Sequence, residues 1–336
     1  MSRPRFLPDE FTLMLVATVI AASVLPCRGI AAQVFGVITN LAIGLLFFMH
    51  GAKLSREAII AGATHWRLHL LIFAATFVMF PLLGWALRPL LEPLATPELY
   101  LGLLFLCTLP ATMQSSIAFT AIAHGNVPAA VCSASASSLL GIFLTPLLAG
   151  LLLSRQGGGA ATSVDAVRSI VLQLLLPFIA GNVARRWIGA WVEHRKAMLG
   201  WVDRGSILLV VYTAFSAAVN QGLWHQIPLP ALAGLLLACA LLLAAALTLT
   251  TLAARRLGFD TADEVTIVFC GSKKSLASGI PMAQVLFAGH VAGIVVLPLM
   301  LFHQLQLMVC AVLAQRYRAR SLAAEAAEKP AAGAAN

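Results

Sequence analysis

Charged residues are scarce in this sequence. Only 10% of the 336 residues are Asp, Glu, Lys or Arg, whereas 60% are hydrophobic. A soluble domain usually carries about 25% charged residues, and a soluble globule of this length would lack the polar groups that its surface needs. The composition therefore argues against soluble enzymes, nucleic-acid-binding domains and disordered proteins, and it predicts a protein with several membrane-spanning helices.

Three further absences narrow the function. The sequence contains no metal-ligand cluster, nucleotide motif or nucleophile–base pair, so we expect neither an enzyme nor a bound cofactor. The six cysteines form no Cys-x-x-Cys motif, and we interpret them as small buried side chains. None of the 13 Asp and Glu residues lies in the middle of an apolar stretch, which argues against a carboxylate proton relay.

Apolar stretches of about 20 residues, the length needed to cross a bilayer, recur along the chain. They predict ten transmembrane helices, five within residues 11–153 and five within 168–318. A connecting loop is expected at 154–167, an N-terminal segment at 1–10 and a disordered tail at 319–336. The fold class predicted from this pattern is an all-α polytopic membrane protein.

Basic residues are distributed unequally between the two sets of predicted loops. Sixteen Lys and Arg residues lie in the termini and in the loops on the same side, against four in the loops on the other side. Since cytoplasmic loops carry the excess, we predict an inner-membrane protein with both termini in the cytoplasm. The net charge of +9 reflects this topology. The expected partners are a lipid bilayer and a small-molecule or ion substrate, with neither nucleic acid nor an obligate protein partner.

Two lysines fall inside a predicted span. Lys273 and Lys274 lie in the ninth span, where one lysine costs at least about 2.5–3.5 kcal/mol. Adjacent residues point about 100° apart on a helix, and Gly271, Gly279 and Pro281 weaken a helix here. We therefore predict an unwound segment surrounded by protein or a wet cavity. Two alternatives are a loop that contains the lysines and side chains that reach to the membrane interface.

The fourth span contains a related cluster. The segment Gln114-Ser-Ser-Ile-Ala118 aligns without a gap with Lys273-Lys-Ser-Leu-Ala277, 159 residues later. The fourth span of five thus matches the ninth of ten, and because five is odd, the second half enters the membrane from the opposite side. This pattern predicts an inverted repeat whose two broken helices meet near the membrane midplane.

The candidate binding residues are the polar side chains of these spans and of their predicted neighbours. They are Thr112, Gln114, Ser115, Ser116, Ser133, Ser135, Lys273, Lys274, Ser275 and His303. Hydroxyl groups in membrane helices often only pack or bond back to the backbone, and a lone histidine more often has a structural role.

The chain resembles the bile acid:sodium symporter superfamily over residues 8–318. Within it the resemblance is to a divergent branch that contains many bacterial sodium-dependent transporters and human member seven of solute carrier family ten. The segments that carry the resemblance are Gln114-Ser-Ser-Ile-Ala-Phe-Thr120, His124-Gly-Asn126, Gly141-Ile-Phe-Leu-Thr-Pro-Leu147, Phe269-Cys-Gly-Ser-Lys-Lys-Ser-Leu276, Gly279-Ile-Pro-Met282 and Phe287-Ala-Gly-His290. The resemblance implies two inverted five-helix repeats, a panel domain of spans 1, 2, 6 and 7, and a core domain of the other six, with helices 4 and 9 broken and crossing.

The chain departs from this family at the sodium ligands. Symporters of the superfamily bind two sodium ions through a Ser-Asn pair in helix 4, hydroxyls in helix 5, and a Glu and a Gln in helix 9. The resemblance places these positions at Ser116 and Ile117, at Ala130 and Ala134 beside Ser133 and Ser135, and near Phe269 and Lys273. The acidic ligand is absent and a cation stands in its place. Ser116, Ser133 and Ser135 remain weak candidates for a sodium site.

These observations predict a secondary transporter that works by alternating access. The two lysines and the N-termini of half-helices favour a small organic anion as the substrate. Because a lysine ammonium can occupy the position of a bound sodium ion, we do not expect sodium coupling at the lysines. A lysine that carries the coupling proton is an alternative. Two other functions stay open, an inorganic ion transporter or exchanger and a non-transporting membrane regulator of ion homeostasis.

Overall fold

The computed structural model describes residues 10–53, 65–153, 171–287 and 290–332, and within these ranges the regular elements are helices without a strand. The longer helices are α1 (Glu10–Val24), α2 (Gly29–Lys53), α3 (Trp66–Ala86), α4 (Pro97–Thr108), α5 (Gln114–Ile122), α6 (Val127–Leu153), α7 (Leu176–His194), α8 (Lys196–Asn220), α9 (Leu229–Arg256), α10 (Thr261–Gly271), α11 (Leu276–Leu286) and α12 (His290–Ala332). A π-helical turn lies within α3, at Ala75–Met79.

Six of these helices, α2, α3, α6, α8, α9 and α12, are long and apolar enough to cross a membrane. Their outer faces are apolar as well, since Ile30 and Leu41 of α2 are 80% and 69% exposed. Contiguous apolar surface of this kind is unfavourable in water and favourable in a bilayer. The all-helical class and the multi-pass membrane character predicted from the sequence are thereby confirmed.

Two of the predicted segments need comment. The loop 154–167 and all of the N-terminal segment except Glu10 lie outside the described residues. At the other end, α12 continues to Ala332, through a stretch for which the sequence predicts a disordered tail. This stretch is rich in alanine, the residue with the highest helix propensity, which accounts for a helical backbone there.

Helices α2 and α7 pack closely through paired glycines. A Cβ atom at Gly51 of α2 would lie 2.0 Å from the carbonyl oxygen of Phe178, and one at Gly181 of α7 would lie 1.9 Å from that of Phe48. Only glycine permits backbones to come this close, and small residues are the usual means of packing membrane helices. These two glycines fix α2 against α7.

The apolar core lies mainly between α4, α8, α9, α11 and α12. Its fully buried members include Phe105, Phe215, Leu242 and Phe302. Phe105 packs edge-to-face on Phe287, with ring centroids 5.3 Å apart, in the geometry that aromatic quadrupoles favour. Two non-helical segments, one between α4 and α5 and one between α10 and α11, interrupt helices beside this core.

The first interruption separates α4 from α5 at residues 109–113, and the second separates α10 from α11 at 272–275. The first has a clear cause, because proline disfavours helical angles in the residue before it, and Leu109, before Pro110, is extended (φ −71°, ψ 153°). Gly279 lies within α11, where a Cβ would come within 2.5 Å of a Leu109 methyl group. Glycine there lets α11 approach the first interruption closely.

Candidate functional site

The two interrupted segments are bonded to each other. The backbone N–H of Ser275 donates to the carbonyl of Pro110 at 2.9 Å, and the Thr112 hydroxyl donates to the carbonyl of Lys274 at 2.8 Å. Irregular backbone at membrane depth must satisfy its polar groups within the protein. Here each segment supplies hydrogen-bond partners to the other, so both interruptions meet at one place. We call this place, formed by residues 109–113 and 272–275, the crossing.

The ammonium group of Lys274 is held by three backbone carbonyls. Its Nζ donates to Thr76 O at 2.7 Å, to Cys107 O at 3.0 Å and to Leu109 O at 2.8 Å. Two of these carbonyls belong to the C-terminal end of α4, where helical carbonyls lack intrahelical donors and the helix dipole is negative. We call these three carbonyls the Lys274 cage. The side chain is fully buried, which excludes the alternative that it reaches to the membrane interface.

A glutamine fixes the backbone of Lys274. Gln306 of α12 accepts from Lys274 N through Oε1 at 2.9 Å and donates through Nε2 to Lys274 O at 3.0 Å. The same Nε2 group donates to Nδ1 of His303 at 2.9 Å. A ring nitrogen that accepts carries no proton in the neutral ring, so a neutral His303 has its proton on Nε2. The unwound peptide is therefore bound on both edges by one side chain.

Lys273 points in another direction and is also fully buried. Its Nζ donates to the carbonyl of Ser115 at 2.9 Å, and it lies 3.8 Å from the ring centroid of Phe119 and 5.3 Å from that of Phe269. Aromatic faces attract a desolvated cation. The Ser116 hydroxyl bonds next to it, to the carbonyl of Phe269 at 2.9 Å. The two ammonium groups thus have different partners. Lys274 binds three backbone carbonyls, and Lys273 binds one carbonyl and contacts two aromatic rings.

The three hydroxyls considered for sodium have separate surroundings. Ser116 bonds to a backbone carbonyl of α10, Ser133 bonds to Nδ1 of His69 at 2.6 Å, and Ser135 faces a cavity. The best set of cation ligands at the crossing is the Lys274 cage, and Nζ of Lys274 already takes those oxygens. These residues therefore do not fit a sodium ion at this place.

A cavity of about 440 Å³ lies beside the crossing. It contains six of the predicted site residues, Thr112, Gln114, Ser115, Ser135, Ser275 and His303. The other four, Ser116, Ser133, Lys273 and Lys274, are fully buried and are not part of its wall. The predicted site residues therefore form two groups, those that face the cavity and those that are buried outside its wall.

Two helix N-termini face this cavity. The first turn of α5, with Gln114 and Ser115, forms one part of its wall, and the first turn of α11, with Ala277 and Ser278, forms another. Ser275 caps α11 by accepting from Ser278 N at 3.2 Å. Free N–H groups and the positive end of the dipole make a helix N-terminus a favourable place for an anion. Both half-helices present that end to the same space.

A charged group on the opposite wall is a part of the site that sequence reasoning missed. It consists of His50 and Lys53 of α2 with Asp203 and Arg204 of α8. Lys53 and Asp203 form an ion pair, while Oδ1 of Asp203 is buried and has no hydrogen-bond partner within the described ranges. The pair joins residues 150 positions apart, and each residue lies near a predicted helix end. Local sequence therefore gave no signal for it.

The chain is similar to a transporter family and to proteins named as transporters. The sequence profile of the SBF-like CPA transporter family matches residues 9–319. This chain belongs to that family. A candidate symporter of Escherichia coli K12, YfeH, is 58% identical over 92% of this chain and 93% of its own length. Sodium/bile acid cotransporter 7 of Rattus norvegicus is 30% identical over 82% of each chain. An uncharacterized protein of Pseudomonas aeruginosa is 70% identical over 98% of this chain and 99% of its own.

The family membership decides between broad classes of function. The protein is a transporter of this family and not an enzyme, as the sequence predicts, and it is a multi-pass membrane protein. Its substrate is a small molecule or an ion. The resemblance to the bile acid:sodium symporters found in the motifs is confirmed by both the family profile and the named relatives.

Proposed function

We propose that this transporter moves a small organic anion by alternating access, and that the solute binds in the 440 Å³ cavity. The observation that carries the proposal is the meeting of the α5 and α11 N-termini at that cavity. Two positive helix ends favour an anion there. Elsewhere on the wall, Lys53 is paired with Asp203, and Arg204 leaves a net positive charge.

The remaining wall supports an organic solute over an inorganic ion. It is largely apolar, with members on α1, α2, α6, α7, α8 and α12 that include Phe11, Phe47, Ile142, Phe178, Ile207 and Leu307. Binding sites for small organic molecules combine such apolar walls with a few directed polar groups. A bare inorganic ion would gain nothing from this surface, because apolar walls cannot replace its hydration shell.

We further propose ten membrane spans in two inverted repeats. In this arrangement α4 with α5 forms the fourth span and α10 with α11 forms the ninth, and each of these spans is interrupted near its middle. Spans 1, 2, 6 and 7, which are α1, α2, α7 and α8, form the panel domain, and the others form the core domain. The cavity lies between these two sets, which is where alternating access places a substrate. The excess of basic residues supports an inner-membrane location with cytoplasmic termini.

The proposed coupling does not use sodium at the crossing. Lys274 serves as a tethered cation, because its ammonium holds the three carbonyls of the cage. The same geometry argues against Lys274 as a proton carrier. A neutral amine has two N–H groups and would leave one of the three buried carbonyls without a donor, and an unsatisfied buried polar group is costly.

A ligand screen on the purified protein tests the anion proposal. Carboxylates, sulfonates, inorganic anions and inorganic cations are compared by thermal shift with and without sodium, and the hits are tested for uptake in proteoliposomes. Ala277→Phe fills the cavity at the first turn of α11, and Ala244→Phe, on the exposed face of α9, is its matched control. We expect hits among organic anions, unaffected by sodium, lost in A277F and kept in A244F. Binding of inorganic ions alone, or uptake that requires sodium, would contradict the proposal.

A further inference from the structure

A second concave surface, which shares no residue with the cavity, lies between α9 and α12. It encloses about 630 Å³, and it is lined by Leu247, Thr248, Thr251, Leu252, Leu305, Met308, Val309, Val312, Leu313 and Arg316. The α12 members follow a spacing of three and four residues, which places them on one face of that helix. Met308 and Val312 are about half exposed, at 51% and 48%. We call this surface the α9–α12 groove.

The groove has the length of one lipid monolayer. Leu305 and Arg316 bound it along α12, and eleven residues at a helical rise of 1.5 Å span about 16 Å. Half of the hydrocarbon core of a bilayer is about 15 Å thick. Between these limits the α12 side chains that line the groove are apolar. The groove therefore matches an acyl chain that begins at the membrane interface and ends near the midplane.

The cationic end of the groove is not neutralised by Glu264 of α10. Glu264 is occupied, since it accepts two hydrogen bonds from Arg255 at 2.9 Å and one from the hydroxyl of Tyr317 at 2.8 Å. Arg316 is exposed and has no ion pair among the side chains that the structure describes. An unpaired guanidinium at the end of an apolar groove complements a phosphate group above an acyl chain.

We propose that the α9–α12 groove binds one anionic glycerophospholipid, with an acyl chain between α9 and α12 and the phosphate on Arg316. The lipid belongs to the monolayer on the side of the C-terminal end of α12. This proposal is independent of the transported solute, because the groove and the transport cavity share no residue. One basic residue near the interface favours an anionic headgroup about fivefold.

Native mass spectrometry tests the site directly. The purified protein is incubated with equal amounts of phosphatidylglycerol and phosphatidylcholine that carry the same acyl chains. We expect one bound lipid, with about a fivefold preference for phosphatidylglycerol. Arg316→Gln is expected to abolish the preference, and R316K to keep it. The matched control is Arg318→Gln, which removes an exposed arginine about 200° around the helix and is expected to behave as the wild type.

A second variant tests the acyl-chain part of the groove. Val309→Trp fills it without a change of charge and is expected to remove both lipids, whereas Val37→Trp, on the exposed face of α2, is expected to keep them. Unchanged lipid preference in R316Q, or equal losses in R316Q and R318Q, would overturn the proposal. A dimer without bound lipid in the wild type, which becomes monomeric in V309W, would also overturn the proposal. In that case the groove would be a surface for self-association.

Discussion

Replacement of Lys274 tests the tethered cation most directly. Lys274→Met keeps most of the side-chain volume but leaves the carbonyls of Thr76, Cys107 and Leu109 without their donor. A buried polar group that loses its partner costs about 1–3 kcal/mol. Three such groups together cost about 3–9 kcal/mol, which on average exceeds the roughly 2.5–3.5 kcal/mol that the change recovers by removing a buried ammonium, so we expect a net fall in the free energy of unfolding. The measurement is thermal unfolding of the purified protein followed by tryptophan fluorescence.

Lys274→Ala adds a second readout, because it empties the space that the side chain occupies. A small cation can then enter the cage of three carbonyls, whereas in the wild type Nζ already bonds to them. We expect sodium, ammonium or methylammonium to raise the unfolding temperature of K274A and not that of the wild type. Choline, which is too large for the cage, controls for ionic strength.

Two outcomes would refute the tethered-cation argument. The first is a K274M variant as stable as the wild type, which would mean that the three carbonyls find other donors at no cost. The second is equal stabilisation of K274A by choline and sodium, which would show a salt effect without a site. Lys273→Met is a useful comparison, because Lys273 holds only one carbonyl and its ring contacts, and we expect a smaller loss.

Four other substitutions test the packing, the unwound peptide and the charged wall. Gly51→Ala should destabilise the protein by about 1–3 kcal/mol, because its Cβ would overlap a backbone carbonyl of α7, whereas Gly36→Ala, with open space around it, should be neutral or stabilising in the same unfolding assay. Gln306→Leu removes both bonds to the Lys274 peptide and should speed hydrogen exchange across residues 272–276; unchanged exchange would contradict this role. Asp203→Asn should tighten binding of the anion found by the ligand screen and Lys53→Met should weaken it, and equal effects of the two changes would contradict an anion site.

The interruptions of the helices follow largely from local sequence. Pro110 explains why Leu109 is extended, and two adjacent lysines in an apolar stretch require a buried, non-helical environment. The sequence therefore indicates both interruptions, which the structure has at residues 109–113 and 272–275. It does not predict the hydrogen-bond partners of the ammonium groups, because every residue type has a backbone carbonyl. The cage oxygen of Thr76 is 198 residues from Lys274, and any residue type could supply it.

The cavity illustrates the same limit for side chains. Polar residues of the interrupted helices, such as Gln114 and Ser275, could be selected because polar groups are rare in membrane spans. Asp203 and Lys53 could not, since charged residues near helix ends are ordinary in membrane proteins. Only the packing of α2 against α8 turns them into a wall of the cavity. Position in three dimensions, and not residue type, therefore separates these charges from the other loop charges.

A tethered cation changes what can drive transport. A sodium ion couples to a gradient because it binds on one side and leaves on the other, whereas the ammonium of Lys274 cannot leave. Under the proposed sodium-free mechanism, the driving force comes from the solute itself or from groups that face the cavity. Among the described residues of the cavity wall, His50 and His303 carry imidazole groups, the side-chain type whose ordinary charge change falls within the physiological pH range.

This reasoning separates two modes of transport that one experiment can distinguish. Proteoliposomes loaded with the unlabelled anion, in buffers without sodium, should take up the labelled anion by exchange. If protons are coupled as well, an imposed pH gradient should drive net uptake, and the double change His50→Gln and His303→Gln should abolish that component while exchange persists. Uptake that appears only when sodium is added would contradict both modes, since the cage oxygens that would bind sodium are held by Lys274.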